Sequence, residues 1–272
     1  MQRIVVVNPK GGSGKTTIAT NLAGYLASRR QQPVLMDFDP QGSSTRWARK
    51  RHPTQGKVHL IAAHERDARV TLSFQLHPPS GTTHVVVDTP AAIPAQEMPK
   101  LTRTADKILV PVLPSDIDIH ACSRCIRDLL LVAKVPRDQN RLGVIANRVR
   151  RNTLVYHSLM RFLESLGIPI VATIRDSQNY VRAAETGYGI HEMAGGLVRE
   201  DLEAWEPLVQ WLAQPAGAPP AAATGATSTA ETAAATTAAP TSSAAATAAD
   251  VGTRETEGAA AAATAAAEAL MG

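Results

Sequence analysis

Apolar positions in the first 212 residues fall into short uniform runs separated by longer amphipathic stretches. Runs such as Val85-Val86-Val87 are apolar at every position, which is typical of strands covered on both faces of a parallel sheet. Runs of this kind predict strands at 3–8, 33–37, 58–62, 83–88, 107–112, 142–147 and 168–173.

The stretches between these strands have helical periodicity. They predict helices at 15–30, 65–76, 117–134, 153–166, 178–187 and 195–212. Gly167 and Pro169 follow the fourth of these segments and are typical helix stop signals. Regular alternation of strand and helix predicts a doubly wound α/β fold, with a mostly parallel sheet and helices on both faces.

Composition divides the chain near residue 212. The chain has 272 residues and a net charge of +4, but residues 1–212 carry 27 Lys and Arg against 19 Asp and Glu, a net +8. Residues 213–272 carry one Arg against five Asp and Glu, a net −4, and contain 27 Ala, 11 Thr and no aromatic residue. We therefore expect a globular domain at 1–212 and a disordered, low-complexity tail at 213–272.

Several classes of protein are disfavoured by the same composition. The sequence contains no run of about 18 strongly apolar residues, so we expect no transmembrane helix. The first predicted strand begins at Arg3, which leaves no space for a signal peptide. Two cysteines cannot build a disulfide scaffold. We expect a cytoplasmic protein whose basic domain suits an acidic partner such as nucleic acid.

The first predicted strand runs into a glycine-rich segment that precedes a helix, Asn8-Pro9-Lys10-Gly11-Gly12-Ser13-Gly14-Lys15-Thr16-Thr17. Glycines let successive backbone N–H groups point at phosphate oxygens, and the helix N-terminus adds its dipole. Lys15 can reach the β and γ phosphates, and the Thr16 hydroxyl can ligate Mg²⁺. The general P-loop pattern requires Gly where Pro9 stands; the variant here carries an extra lysine, Lys10.

This variant resembles the deviant Walker A box of the ParA/MinD family of ATPases, and the resemblance covers nearly all of residues 1–212. It implies a P-loop NTPase fold, with ATP and Mg²⁺ as cofactors. In that family the extra lysine, here Lys10, reaches the partner's nucleotide across an ATP-sandwich homodimer. The resemblance also implies an ATP-binding set formed by Gly11, Gly12, Ser13, Gly14, Lys15, Thr16 and Thr17.

Two further segments resemble the family's switch regions. Residues 36–43 resemble switch I, and the resemblance implies that Asp39 positions the attacking water; a carboxylate there can also hold Mg²⁺ through water. Asp37 in the same segment is either functional or a structural acid at a strand end. Residues 85–91 resemble Walker B and switch II, which places Asp88 in the Mg²⁺ shell. The family often has Gly where Ala91 stands.

Later landmarks complete the resemblance. Asn147 matches the family's base-contacting asparagine, since its amide can pair with the adenine edge; a turn-forming role is the alternative. Residues 174–177 and 184–187 resemble late family motifs, mainly through their order in the chain. The expected site therefore has Lys10, Lys15 and Asp39 as catalytic residues, Thr16, Asp39 and Asp88 as metal ligands, and Asn147 at the base.

The family's members switch between a monomer and an ATP-bound dimer, and three outputs are possible here. A ParA-like output implies ATP-dependent binding to nonspecific DNA on the nucleoid, with a small adaptor protein that stimulates hydrolysis. Each basic candidate could instead be a solvated surface residue. The candidates are Arg148, Arg150, Arg151, Arg161, Arg175, Arg182 and Arg199, and a second cluster of Arg46, Arg49, Lys50 and Arg51 with Trp47 interleaved.

The other two outputs have weaker support. A MinD-like membrane cycle needs a basic amphipathic helix at the C-terminus, whereas residues 268–272 are acidic and alanine-rich, so we expect no membrane partner. An Mrp-type iron–sulfur carrier uses a Cys-x-x-Cys, a spacing that Cys122 and Cys125 share. On a helix, cysteines three residues apart are more often packing residues.

The cargo is the least determined part of the prediction. The first predicted strand begins too early for a preceding helix-turn-helix extension, which disfavours operator binding. Residues 111–118 resemble the same segment of the McdA members of the family, which distribute carboxysomes over the nucleoid. Plasmid or chromosome segregation is the main alternative cargo, and a chemoreceptor array or another organelle is a further alternative.

Overall fold

The computed structural model describes residues 1–65, 71–215 and 217. Almost all of the predicted tail at 213–272 therefore lies outside the described residues. The described chain contains a seven-stranded sheet in the order β3-β2-β4-β1-β5-β6-β7, and every neighbouring pair is parallel. The strands are β1 Gln2–Val6, β2 Pro33–Asp37, β3 His59–Ala62, β4 His84–Asp88, β5 Lys107–Val112, β6 Leu142–Val149 and β7 Ile170–Arg175.

Eight α-helices connect and cover these strands in the described residues, together with two short 3₁₀ turns at Ala95–Glu97 and Ile190–Glu192. Hydroxyl side chains begin three of the helices: Ser115, Thr153 and Ser177 each accept a backbone N–H of the first turn. The helices are α1 Lys15–Ser28, α2 Ser43–Arg49, α3 Leu72–Gln75, α4 Met98–Thr102, α5 Asp116–Leu131, α6 Leu154–Ser165, α7 Gln178–Glu185 and α8 Gly195–Ala213.

The centre of the sheet is dry on both faces, as uniform apolar strands require. Val85, Val86 and Val87 of β4 are fully buried, and the six residues of β5 are all buried. On one face, α1 and α8 pack with the sheet in a single apolar cluster that includes Leu22 and Trp205. The predicted doubly wound parallel fold is therefore confirmed.

The strand order determines where a ligand can bind. β1 pairs with β4 on one side and with β5 on the other. The chain leaves β1 toward β2 and leaves β5 toward β6, so the connections diverge beside β1. In open α/β sheets a ligand binds at the carboxyl edge where the connections diverge. The loop between β1 and α1 lies at this point.

Some predicted elements were incomplete. Helix α2 and the helical turns at 95–102 were not predicted, because these segments are short and have few apolar residues. Of the helix expected at 65–76, only α3 is described, and residues 66–70 lie outside the described residues. Strand β7 begins two residues later than expected, and β6 extends to Val149 beyond an irregularity at 146–149. In the described part of the chain, no helix has the length and apolarity to span a membrane.

Candidate nucleotide-binding site

The glycine-rich loop is tied to both neighbouring strands at its start. The Asn8 side chain donates to the Pro111 carbonyl of β5 at 2.8 Å and accepts the Lys10 backbone N–H at 2.9 Å. On the other side, the Ala92 backbone N–H donates to the Pro9 carbonyl at 2.7 Å. These bonds link the loop to the ends of β5 and β4, where a phosphate group would need a rigid backbone cradle.

Gly14 stands at the entry to α1 in a conformation that requires glycine. Its φ is 95°, in the left-handed region that side chains disfavour. A Cβ there would lie 2.1 Å from Nδ2 of Asn147. The same amide group donates to the Ser13 carbonyl at 2.9 Å, and both residues are buried. Asn147 therefore supports the loop from the end of β6.

Lys15 begins α1 and is only 6% exposed. Its ammonium donates to the Lys10 carbonyl at 3.2 Å. Burial lowers the pKa of Lys15, and the charges of Asp88 and Asp39 partly oppose that shift. A desolvated ammonium at the end of a glycine-rich loop is well suited to a phosphate, because the anion would replace the lost hydration.

Asp88 ends β4 and is fully buried. Its Oδ2 accepts the Thr16 hydroxyl at 2.8 Å and the Ser44 hydroxyl at 2.6 Å. Burial raises its pKa to about 6, against the opposing effect of the two hydroxyl bonds. Oδ1 of Asp88 has no hydrogen-bond partner within the described residues. A buried carboxylate oxygen without a partner, beside a hydroxyl, is a donor set that fits Mg²⁺.

Ser44 was missed by the sequence reasoning. It belongs to the first turn of α2, directly after the segment that resembles switch I, and it is buried. Its neighbour Thr45 binds Asp37, since the Thr45 N–H and hydroxyl both donate to Asp37 Oδ2 at 2.8 Å. Of the two interpretations of Asp37, these contacts favour the structural acid. The sequence signal was the run of three hydroxyl residues after Gly42, namely Ser43, Ser44 and Thr45, which is typical of a helix start.

Asp39 lies at the rim of the site and is partly exposed. Its Oδ1 accepts the Gln41 N–H at 2.9 Å, and its carbonyl accepts the Gly42 N–H at 2.8 Å. The negative charge of Asp39 raises the pKa of Lys15, against the larger effect of burial. The carboxylate is therefore in a turn beside the phosphate cradle, where its remaining lone pairs are open to solvent.

Lys10 points away from the phosphate cradle. Its ammonium donates to Asp118 in the first turn of α5 at 2.6 Å. The remaining loop residues differ in exposure: Gly11 and Gly12 are exposed, while Thr16 and Thr17 are half-buried at the start of α1. The structure thus brings Lys15, Thr16 and Asp88 together and leaves Lys10 at the edge.

A cavity of about 430 Å³ opens beside the start of α1. This volume is within the range of small-molecule sites and is large enough for a nucleoside. Its lining includes Thr17, Asn147, Arg148, Asp176 and Tyr180. Arg148 lies at the irregular end of β6 and has a φ of 52°. Its Nε donates to Asp176 Oδ1 at 3.2 Å.

The candidate DNA-binding arginines fall into two groups. Arg148 and Arg150 both pair with Asp176; Arg175 pairs with Glu200 and with Asp201, which is fully buried. Arg199 makes a looser exposed pair with Glu203 at 3.7 Å. Within this first set, and among the described residues, Arg151, Arg161 and Arg182 are exposed and have no ion-pair partner.

The second basic cluster needs a correction. Trp47 is 4% exposed and packs in the core, and its indole N–H donates to the Tyr188 carbonyl at 3.0 Å. Arg51 stacks over the Trp47 ring and forms a buried ion pair with Glu192 at 2.6 Å. These two residues are structural, because desolvated side chains with complete contacts cannot reach DNA. Arg46, Arg49 and Lys50 remain exposed.

The two cysteines lie on the inner face of α5. Both side chains are fully buried, and neither forms a disulfide. Burial raises the pKa of Cys122 well above its usual value and that of Cys125 to about 12. Since iron–sulfur clusters bind thiolates, a cluster bridging two subunits is disfavoured by this burial. The contacts favour the packing alternative.

Fold and site together define a nucleotide-binding P-loop protein. The chain belongs to the family described as the CobQ/CobB/MinD/ParA nucleotide binding domain, which matches residues 4–190. It is similar to the maintenance of carboxysome distribution protein A of Gloeobacter kilaueensis, with 32% identity over 199 residues, 72% of this chain and 87% of that protein. The expected membership of the ParA/MinD family and the similarity to its McdA members are confirmed.

Solved structures support the fold. An ATP complex of McdA from Cyanothece has a TM-score of 0.57 at 18% identity and covers 77% of this chain and 96% of that one. A plasmid partition protein from Borrelia burgdorferi bound to AMPPNP has a TM-score of 0.58 at 14% identity, with 77% and 98% covered. At these identities the two structures support the fold alone.

Proposed function

We propose that this protein is a ParA-type ATPase that dimerises with ATP, binds nonspecific DNA and uses partner-stimulated hydrolysis to position a cargo. The observation that carries the proposal is the convergence of Lys15, Thr16 and Asp88 at the sheet edge where the connections diverge. A buried ammonium, a hydroxyl and a buried carboxylate at one helix N-terminus are the parts that a nucleoside triphosphate with Mg²⁺ requires.

Thr16 and Asp88 would hold Mg²⁺, with Asp39 acting through water. The cation would neutralise charge that develops on the phosphate oxygens during transfer. Lys15 and the loop N–H groups orient the phosphates, while the buried floor of the site excludes bulk water. Asn147 supports the loop through Ser13, and its carbonyl oxygen is left to accept a base amino group.

Hydrolysis needs a group that orients water on the open side of the phosphates. Asp39 is suited to this role because it is partly exposed and because its negative charge raises the pKa of Lys15. In the dimer, Lys10 of one copy would contact the nucleotide of the other. Binding of a γ-phosphate would then bias the segments that follow β2 and β4, which gives two states to the cycle.

DNA binding would depend on the basic surface of the ATP-bound dimer. The +8 charge of residues 1–212 favours a phosphate-rich partner. Arg151, Arg161 and Arg182 are the strongest candidates of the first set, because their charges are not matched by carboxylates in the described region. Exposed Arg46 and Lys50 of the second cluster meet the same criterion. Nucleoid association in the cytoplasm and stimulation by a small adaptor are part of the same proposal.

Carboxysomes are the proposed cargo, on the strength of the named relative that shares 32% identity over most of both chains. Plasmid or chromosome segregation is the second candidate, supported by the fold shared with a plasmid partition protein. The C-terminal segment on which a MinD-like membrane cycle would depend lies outside the described residues. DNA and vesicle binding therefore need to be compared directly.

The proposal is tested with purified full-length protein and three variants, Lys15→Ala, Lys10→Ala and Asp39→Ala. We expect slow Mg²⁺-dependent ATP turnover that rises with DNA and a cognate adaptor. Lys15→Ala should lose nucleotide binding, Lys10→Ala should lose the dimer, and Asp39→Ala should bind ATP without turnover. Retention of nucleotide and DNA by Lys15→Ala would contradict the mechanism, and binding to anionic vesicles instead of DNA would favour the membrane cycle.

A further inference from the structure

One short ion pair joins the glycine-rich loop to the start of α5. The Lys10 ammonium donates to Asp118 Oδ2 at 2.6 Å. The Asp118 side chain is 3% exposed, whereas that of Lys10 is 32% exposed. The ammonium is thus held from one side by a desolvated carboxylate of its own chain. While it is held there, it is not available to a second copy.

Asp118 keeps other support when Lys10 leaves. The Ser115 hydroxyl also donates to the Asp118 carboxylate, and Ser115 Oγ accepts the Asp118 N–H at 3.2 Å. Asp118 is the third residue of a 16-residue helix, where the positive end of the helix dipole favours a carboxylate. These contacts offset part of the penalty of separating a buried pair. Oδ1 of Asp118 has no hydrogen-bond partner within the described residues, so part of the penalty remains.

The backbone beside Lys10 is connected to the segment after Asp88. The Ala92 N–H donates to the Pro9 carbonyl at 2.7 Å, one residue before Lys10. Ala92 has a φ of 56°, which is uncommon for a residue other than glycine. A rearrangement at 88–92 on nucleotide binding would therefore move the backbone next to Lys10 and disturb its bond to Asp118.

We propose that Asp118 is a positioning residue that holds Lys10 within the monomer and so sets the ATP concentration needed for dimerisation. In the closed arrangement Lys10 is bound to Asp118 of its own chain. In the open arrangement Lys10 is released toward the phosphates of a nucleotide on the second copy. This inference rests on the ATP-dependent dimer of the proposed function. It adds that the Lys10–Asp118 pair raises the ATP concentration at which the dimer forms.

The test compares Asp118→Asn with Asp116→Asn. Both remove one carboxylate from the first turn of α5, but the Asp116 side chain is 83% exposed and, within the described residues, its ion pair is with His120 at 3.7 Å. Dimer fraction is measured by light scattering against ATP concentration with MgCl₂. We expect Asp118→Asn to lower the midpoint about fivefold or more, and Asp116→Asn to match the wild type. A midpoint for Asp118→Asn that is unchanged or higher would overturn the proposal.

A second measurement keeps the two proposals distinguishable. The rate at which an acetylating reagent modifies Lys10 is measured by mass spectrometry without nucleotide, with exposed Lys50 as the internal reference. We expect Lys10 to react more slowly than Lys50 in the wild type, and faster in Asp118→Asn. Equal rates for Lys10 and Lys50 in the wild type would overturn the holding role. A wild type that never dimerises with ATP, yet shows slow Lys10 labelling, would refute the dimer and not the ion pair.

Discussion

Asn147 occupies the space into which any side chain at Gly14 would project. A Cβ at Gly14 would lie 2.1 Å from Nδ2 of Asn147, a distance that no packed pair of atoms tolerates. The Asn147 amide is itself fixed by its bond to the Ser13 carbonyl. The end of β6 therefore holds the loop that follows β1 and leaves no space for a side chain at Gly14. The two bonded residues, Asn147 and Ser13, are 134 positions apart in the chain.

Gly14→Ala should abolish tight nucleotide binding. The left-handed strain at φ 95° costs about 1–2 kcal/mol by itself, and Asn147 must also be displaced, so we expect affinity for ATP to fall about tenfold or more. Gly167→Ala is the control, because Gly167 lies outside the loop and has a φ of 62°, but a Cβ there meets no described atom within 4 Å. Fluorescent-nucleotide titration measures both. Equal affinities in the two variants would show that Asn147 does not constrain the loop.

Ser44→Ala should destabilise the protein by about 1–2 kcal/mol, because the buried Asp88 carboxylate loses one of its two hydroxyl donors. Ser43→Ala is the matched control: Ser43 is the neighbouring residue, and in the described part of the chain its hydroxyl accepts an N–H of the exposed Arg46. Its effect should stay within about 0.5 kcal/mol. Urea denaturation gives both free energies of unfolding. A loss as large in Ser43→Ala would contradict the role assigned to Ser44.

Much of the fold could be predicted because it is encoded by local pattern. Strands β2 and β5 have the predicted bounds, since uniform apolar runs end at polar or turn residues. Helix α2 could not be predicted, because its seven residues contain no repeating apolar face and it is held by burial of Trp47 in the distant core. Helix propensity is a weak signal when tertiary contacts determine the result.

The site shows the same division. The loop spacing predicted the positions of Lys15 and Thr16, because phosphate binding restricts local sequence. Pairings over long distances were not visible: Lys10 with Asp118 and Ser44 with Asp88 join residues 108 and 44 positions apart. Arg51 was misassigned for this reason, since its partner Glu192 is 141 positions away. Only the folded chain separates a buried arginine from an exposed one.

Protonation of His191 should lower the stability of the folded protein as the pH falls. Its ring lies between Tyr25 and Trp205, with centroids at 4.7 and 5.5 Å. Burial, with the nearby charge of Arg29, lowers its pKa from 6.5 to about 4, against a small opposing effect of Glu206. The unfolded chain therefore binds the proton more tightly, so this contribution is complete above pH 6.5 and is lost as pH falls toward 4.

The measurement is the melting temperature of the wild type and of His191→Phe at pH 7 and pH 4.5. Phenylalanine keeps an aromatic ring between the two neighbours but does not titrate. We expect the wild type to lose more stability than His191→Phe over this interval. Identical losses would mean that His191 does not contribute to acid sensitivity.

Arg175→Ala should lower the stability of the protein, whereas Arg151→Ala should weaken its binding to DNA. Removal of Arg175 leaves the buried Asp201 carboxylate without its charged partner, and we expect a loss of about 2 kcal/mol in the free energy of unfolding. Removal of exposed Arg151 should leave stability unchanged and lower the slope of DNA affinity against salt by about one. Salt titrations and urea denaturation measure the two effects. A salt slope that is unchanged in Arg151→Ala would remove this residue from the DNA surface.

The central claim is that bound ATP controls the affinity of this protein for DNA. It is tested most directly by retention of the wild type and Lys15→Ala on a nonspecific duplex with Mg²⁺-ATP, with Mg²⁺-ADP and without nucleotide. We expect the wild type to be retained only with Mg²⁺-ATP, and Lys15→Ala not to be retained under any of the three conditions. DNA binding by the wild type that is equal with ATP, with ADP and without nucleotide would contradict it.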